Sequence, residues 1–244
     1  MNKKKLSIGF DRYIERAWLE QISKWVAQEK SRDELHQLVD DYLAPFINGA
    51  TSLRKTKNVL FGVWVNTYDK NELFKKQAIH FLQTCSNDER LAIHWGLSIA
   101  SYPFFASLVR LIGRLLRLQD DIISKELVRR NVELHGDTES VRRATTRLLQ
   151  SFGEWGVLIP ESKSLFHSPK KIVINNPELA TWLLASAFFS NDRDRMTTDE
   201  IISDPAWFPF EIHQSLFQVN QSSILEIVHQ NVGDTLISLK KPVS

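Results

Sequence analysis

The side chains best suited to chemistry lie along one predicted helix face in the middle of the chain. They are Arg142, Arg143, Thr146 and Arg147. Arg143 and Arg147 are four residues apart, so they are neighbours on a helix and repel each other slightly. Glu139 is the acid close by in sequence that offsets this charge. A guanidinium presents a planar fork of donors that matches phosphate oxygens and the guanine edge, so the cluster predicts an anionic partner.

Two further groups of cations fit the same kind of partner. Lys170 and Lys171 come just before an apolar run and, with Lys163 and His167, can reach phosphate from a hairpin. A second patch, Arg54, Lys55 and Lys57, precedes the apolar run that begins at Val59. Positive charge near a helix start opposes the helix dipole, which slightly favours a phosphate-contacting role over a simple solvated turn.

The elements that must position these side chains span Asp121 to Asn175. Apolar spacing predicts a short strand, a helix beginning at Ser124, a turn at Gly136, and a second helix capped by Asp137 or Thr138. Val157 to Ile159 and Lys171 to Ile174 are then predicted to pair as a two-stranded wing. This order is that of a winged helix-turn-helix, whose second helix enters the major groove. The alternative is an ordinary helical hairpin with a solvated outer face.

The segment SVRRATTRLLQSFGEWGVL, Ser140 to Leu158, resembles the recognition helix and following strand of winged-helix proteins. The chain as a whole is similar to the small helical accessory proteins of bacterial phage-defence islands, the BrxA family of BREX systems. That likeness lies in size, a helical N-terminal half, the SLRKTK stretch at Ser52 to Lys57, and a G-x-L-type ending to the winged helix. The resemblance implies DNA binding without catalysis and assigns no individual residue.

The remaining pattern predicts a mainly α protein in three parts. These are a helical N-terminal domain (1–100), a winged helix-turn-helix domain (101–175) and a mostly helical C-terminal region (176–244), ending in a helix near Ser222 to Gln230. Ser31 to Glu34 has the spacing of a capping box. Leu91 to Val109 lacks charged residues. It is either a membrane span or, as we prefer, two buried helices split near Ser101 to Pro103.

Composition excludes several functional classes. The 244 residues carry a net charge of only +2, so nucleic-acid binding must come from local patches. We find no phosphate-cradling glycine motif, no zinc-ligand spacing and no G-x-S-x-G element. His80 and Cys85 are five residues apart, on different helix faces, which does not favour a nucleophile pair. The sequence therefore predicts no enzyme, no metal and no cofactor.

The sequence also predicts where the protein is located and what it binds. A single cysteine, Cys85, is typical of a reducing cytoplasm, and no apolar stretch of signal length follows Lys3, Lys4 and Lys5. Trp207, Phe208 and Phe210 form either a buried plug or a partner-docking surface. We thus expect a cytoplasmic protein that binds double-stranded DNA, in phage defence or transcriptional regulation. The alternatives are an adaptor anchored by those aromatics and a membrane-associated protein.

Overall fold

Helices dominate the chain, as the spacing of its apolar residues predicts. The structure, a computed structural model, describes residues 8–66, 72–190, 193–230 and 234–240; Lys3, Lys4 and Lys5 lie outside this part. The described helices, in chain order, are α1 (Arg16–Ala27), α2 (Arg32–Leu43), α3 (Ala50–Trp64), α4 (Glu72–Thr84), α5 (Arg90–Ser101), α6 (Pro103–Leu116), α7 (Ser124–His135), α8 (Glu139–Glu154), α9 (Pro177–Ala185), α10 (Ala187–Ser190) and α11 (Thr198–Ile202).

Short strands form three small sheets among the described residues. The strands are β1 (Asp121–Ile123), β2 (Ile159–Pro160), β3 (Leu165–His167), β4 (Ile172–Ile174), β5 (Arg195–Thr197), β6 (Phe210–Ile212), β7 (Leu225–Gln230) and β8 (Asp234–Leu239). The first sheet is antiparallel in the order β1–β3–β2, the second pairs β4 with β6 in parallel, and the third is antiparallel in the order β5–β8–β7.

Local signals set several helix ends where the sequence predicts them. The Ser31 hydroxyl accepts the Glu34 amide, and the Glu34 carboxylate accepts the Ser31 amide, which confirms the capping box. Pro103 opens α6, so Leu91 to Val109 divides into two buried helices as expected. Within the described residues, no single helix is long and apolar enough to cross a membrane. Together α5 and α6 have the length and composition, but they bend by 119°.

The apolar spacing from Phe10 onward predicts a helix, and this prediction is wrong for the first turns. Residues 8–15 are not helical, and α1 begins at Arg16. The Ile14 amide donates to Ser151 Oγ (2.8 Å), and the Ile14 carbonyl accepts from Trp155 Nε1 (2.9 Å). Because Ser151 of α8 and Trp155 directly after it bind these backbone groups, the groups are not available to a helix. We call residues 8–15 the N-terminal strap.

Two expected elements near the C-terminal end are corrected. Lys171 to Ile174 does not return in the hairpin; β4 pairs with β6, Ile172 opposite Phe210, and the hairpin is closed instead by Leu165–His167. In place of the helix expected near Ser222 to Gln230, the structure has strand β7, which pairs with β8 along its length. In a run this short, periodicity does not distinguish a strand from a helix. The β-branched residues Ile227 and Val228 favour the strand.

Trp95 lies near the middle of the buried core. Its ring meets Phe105 and Phe152 and also Phe208 and Phe210, with ring centroids 5.2–5.9 Å apart. These partners come from α6, α8 and the C-terminal region, so one core holds α8 in place from several directions. The pairs with Phe105, Phe208 and Phe210 are edge-to-face, and such pairs add about 0.5–1.5 kcal/mol each beyond area burial.

Candidate nucleic-acid interface

Helix α8 divides into a buried stripe and a solvent-facing arc. The Thr138 hydroxyl accepts the Val141 amide (3.2 Å), so Thr138 is the helix cap. The buried stripe is Val141, Ala144, Thr145, Leu148, Leu149, Ser151 and Phe152. All four polar side chains singled out from the sequence, Arg142, Arg143, Thr146 and Arg147, are on the exposed arc. At about 100° per residue, Arg143, Thr146 and Gln150 occupy the middle of this arc.

Helices α7 and α8 are held together across a glycine turn. Gly136 has φ +94°, which suits glycine because it has no Cβ. Asn131, fully buried on α7, donates from Nδ2 to Thr145 Oγ1 on α8 (2.7 Å). A buried hydrogen bond between two helices fixes their relative position. The exposed arc of α8 therefore has a fixed orientation relative to α7.

Arg142 is held by an acid that the sequence analysis did not pair with it. Its guanidinium donates to both Asp137 oxygens (2.8 and 2.7 Å), while 46% of the side chain stays exposed. This contact lowers the pKa of Asp137 and raises that of Arg142. The signal available in the sequence was an acid directly before the cap residue. Asp137 therefore offsets the charge of Arg142 and occupies two of its five N–H donors, so Arg142 is less available to another anion than Arg143 or Arg147.

Arg143 and Arg147 have no carboxylate partner among the described residues. Arg147 donates to the side-chain oxygen of Gln150 (3.1 Å), a neutral group. Arg143 is exposed, and no ion pair within the described ranges includes it. The Thr146 hydroxyl donates to the Arg142 carbonyl (3.1 Å). The exposed arc of α8 therefore carries two guanidinium groups that have no ion-pair partner among the described residues.

A hairpin stands beside α8 and carries Lys163 in its turn. Strands β2 and β3 form the hairpin, and β1 adds to the far side of β3. His167 on β3 bonds the Glu161 carboxylate through Nε2 (2.5 Å) and the Asp121 carboxylate through Nδ1. Lys163 is exposed and lines a groove of about 600 Å³ between α7, α8 and the hairpin. Arg142, Thr146 and Gln150 line the same groove from α8.

Lys170 and Lys171 are not hairpin residues, contrary to the expectation for a wing. Both are exposed and lie between β3 and β4, because β4 joins β6 rather than β2. Lys171 lines a separate cleft of about 370 Å³, together with Arg117 and Trp207. The structure thus does not place Lys171 on the groove that holds Arg142 and Lys163.

The predicted α3 patch separates into different environments. Lys57 Nζ bonds Asp40 on α2 (2.6 Å), and only 13% of its side chain is exposed. Arg54 and Lys55 are exposed and have no ion pair among the described residues. Lys55 lines a small pocket of about 260 Å³ with Ser140, the second residue of α8. The structure therefore brings Lys55 to α8 and leaves Lys57 in an ion pair.

The three aromatic side chains proposed as docking anchors are core residues. Trp207, Phe208 and Phe210 are only 5%, 8% and 3% exposed. Trp207 donates from Nε1 to the Ile201 carbonyl (2.8 Å), and the two phenylalanines meet Trp95. The plug interpretation is correct, and the anchor interpretation is not, because a side chain with so little exposed surface cannot be the centre of an interface.

Metal and thiol chemistry gain no support from the described ranges. No group of three or more His, Cys, Asp or Glu side chains there is arranged to hold a metal ion. Cys85 is buried, and desolvation raises the pKa of its thiol to about 11. Comparison of the chain with protein-family models, with curated proteins and with solved structures gave no match.

Proposed function

We propose that residues 121–167 are a winged helix-turn-helix and that the protein binds duplex DNA without catalysis. The observation that carries the proposal is that Arg143 and Arg147, on the exposed arc of α8, have no ion-pair partner among the described residues. That helix follows a strand, a helix and a tight turn, and precedes a hairpin. An α-helix with its side chains is about 10–12 Å across, and the major groove of B-DNA is about 12 Å wide.

The arc offers both kinds of contact that recognition of DNA requires. Arg143 and Arg147 can take phosphate oxygens or the guanine edge, while Thr146 and Gln150 can bond other base edges. Lys163, exposed in the hairpin turn, can reach the phosphate backbone beside the helix. Because the net charge is only +2, this local cluster supplies the attraction rather than a general basic field. Accessory action in phage defence and transcriptional regulation, both in the cytoplasm, are roles that fit such a protein.

The test is fluorescence anisotropy of a labelled random-sequence duplex at several salt concentrations. Log K should fall linearly with log salt, and Arg143→Ala/Arg147→Ala should weaken binding and flatten the slope by about 0.9 for each phosphate that is no longer neutralised. The control is Arg193→Ala/Arg195→Ala, which removes the same charge from exposed arginines in the C-terminal region, one of which, Arg193, is paired with Glu200. If the wild type does not bind at low salt, or if both double variants behave alike, the proposal is wrong.

A second candidate is an adaptor that binds protein through the same element. The observation favouring it is the groove between α7, α8 and the hairpin, to which Val128, Val132, Leu149 and Phe166 contribute apolar surface. A partner held by this surface would depend far less on salt than a phosphate backbone does. Once a protein partner is identified, the salt dependence of its binding can be compared with that of duplex binding, and this comparison separates the two candidates.

A further inference from the structure

We infer that the DNA-binding surface continues from α8 across the N-terminal strap onto α3, where Lys55 contacts the phosphate backbone. This inference rests on the proposed function. It adds that the helical N-terminal region takes part in binding and that the duplex straddles α8. Lys163 then meets one side of the duplex and Lys55 the other.

The strap runs alongside α8 in the same direction. Its first residues, Ile8 and Gly9, share the small pocket with Ser140 at the start of α8. Further along, the Ile14 amide donates to Ser151 Oγ (2.8 Å), and the Arg16 amide donates to the Glu154 carboxylate (2.7 Å). The strap therefore lies along one edge of α8, with contacts near Ser140 at the start of the helix and at Ser151 near its end.

The strap and the hairpin flank opposite edges of the exposed arc. At about 100° per residue, Ser140 and Ser151 project from one edge, and Arg142 projects from the other. Arg142 lines the groove shared with α7 and the hairpin. Arg143 lies between these edges. A ligand centred on Arg143 is therefore bordered by the hairpin on one side and by the strap on the other.

Helix α3 lies just beyond the start of the strap. Tyr102, the residue before α6, packs its ring against Phe10 of the strap, with ring centroids 5.4 Å apart. Its hydroxyl donates to the carbonyls of Asn58 (3.3 Å) and Val59 (3.0 Å) on α3. Lys55, one turn before Val59, opens onto the pocket that Ser140 lines. Its ammonium group is exposed and has no carboxylate partner among the described residues. Asp11 lines the pocket too, and its carboxylate lies 3.6 Å from the Arg12 guanidinium, which offsets its charge.

Duplex DNA is the partner that this arrangement fits. A helix in the major groove has a phosphodiester backbone along each side, and cations on both flanks of the helix can meet both. A lysine ammonium is a flexible point charge rather than a fork for base edges. Lys55 should therefore add affinity that is independent of base sequence and sensitive to salt.

The first experiment compares Lys55→Gln with Lys57→Gln in the salt series. Both changes remove one positive charge from α3, but Lys57 is already bonded to Asp40 and serves as the matched control. Lys55→Gln should weaken binding equally on unrelated sequences and flatten the salt slope by about 0.9, while Lys57→Gln should leave the slope unchanged. Thermal melts of both variants show that equal folded fractions are compared.

The second experiment maps the two flanks directly. An iron chelate that produces hydroxyl radicals is tethered to Lys55→Cys or to Lys163→Cys in the full chain. The wild type reports the background, which should be low because Cys85 is buried and its thiol pKa is about 11. Backbone cleavage from the two positions should fall on opposite flanks of the base pairs that α8 protects.

The outcomes separate this inference from the proposal on which it rests. If Arg143→Ala/Arg147→Ala weakens binding but Lys55→Gln matches Lys57→Gln, α8 binds DNA and the α3 surface does not. Absence of cleavage from position 55 alongside cleavage from position 163 overturns the inference in the same way. If the wild type binds no duplex at all, the proposed function fails first.

Discussion

His167 shows how one residue can hold the hairpin in position beside α8. Its ring lies between two carboxylates, with hydrogen bonds to Glu161 and then to Asp121 raising its pKa. Both nitrogens can donate only when the ring is protonated. The protonated form therefore joins β3 to β1 and to the hairpin turn at once.

We predict that this clamp makes stability depend on pH in one direction. Because the folded pKa lies above the ordinary value of 6.5, the stabilisation is fully present below about pH 6.5 and is lost as pH rises through the folded pKa. The difference in Tm between the wild type and His167→Gln should be largest near about pH 6 and should shrink toward about pH 9. A difference that does not vary with pH would show that the ring acts only by packing.

Asp137 is the other single residue with a specific consequence. Because it binds the Arg142 guanidinium through both oxygens, it competes with any anion for that side chain. Asp137→Asn should therefore raise affinity for a duplex several-fold and steepen its salt dependence, measured by anisotropy. Thr138 remains as the cap, so the helix start is preserved. The control is Asp199→Asn, which makes the same charge change on α11, and equal gains from both variants would contradict the prediction.

At the scale of elements, one buried hydrogen bond fixes α7 against α8. Thr145→Val removes the acceptor of Asn131 Nδ2 and leaves a buried amide without its partner. The free energy of unfolding should fall by about 1–3 kcal/mol. In Asn131→Leu/Thr145→Val both polar groups are gone, so the loss should be smaller than the sum of the single losses. Chemical denaturation measures the free energy of unfolding of Thr145→Val, Asn131→Leu and the double variant. The control is the exposed Thr146→Val, whose free energy of unfolding should stay within about 0.5 kcal/mol of the wild type. Purely additive losses would argue against this coupling.

At the scale of the whole molecule, the core joins regions that the sequence analysis divided. Gly113 on α6 lies so close to the segment after α11 that an added Cβ would meet the Pro205 carbonyl oxygen at 1.9 Å. Trp95 Nε1 donates to the Ala206 carbonyl (3.0 Å), and the Trp95 ring meets residues of α6 and α8. The division at residues 100 and 175 remains a prediction about folding units, which unfolding experiments can address.

Trp95 is the position at which this common core can be tested. Trp95→Ala should lower the free energy of unfolding by about 3–5 kcal/mol, because it removes a fully buried ring and its hydrogen bond. Leu118→Ala is the control; that side chain is 83% exposed, and its loss should cost less than about 0.5 kcal/mol. Denaturation followed by both far-UV and near-UV circular dichroism should give coincident transitions. Separate transitions would mean that the regions unfold independently.

Local chemistry made several elements predictable from the sequence. Gly136 and Thr138 mark the end of α7 and the start of α8, because positive φ and a capping hydroxyl are properties of single residues. Helical spacing placed Arg143 and Arg147 on the exposed side of α8, since burial of one stripe determines the other. The mainly helical class follows from the same periodicity repeated along the chain.

Tertiary structure decided what depends on residues far apart in the chain. Strand β4 pairs with β6 rather than closing the hairpin, so Lys171 moves away from the groove. The sequence also did not show that Lys57 is in an ion pair while Lys55 is not. That difference depends on Asp40 in α2, which binds Lys57, and on Ser140 in α8, which lines the pocket of Lys55. Strand pairing and ion pairing depend on which residues, distant in the chain, come into contact when the core forms. The periodicity of apolar residues does not predict those contacts.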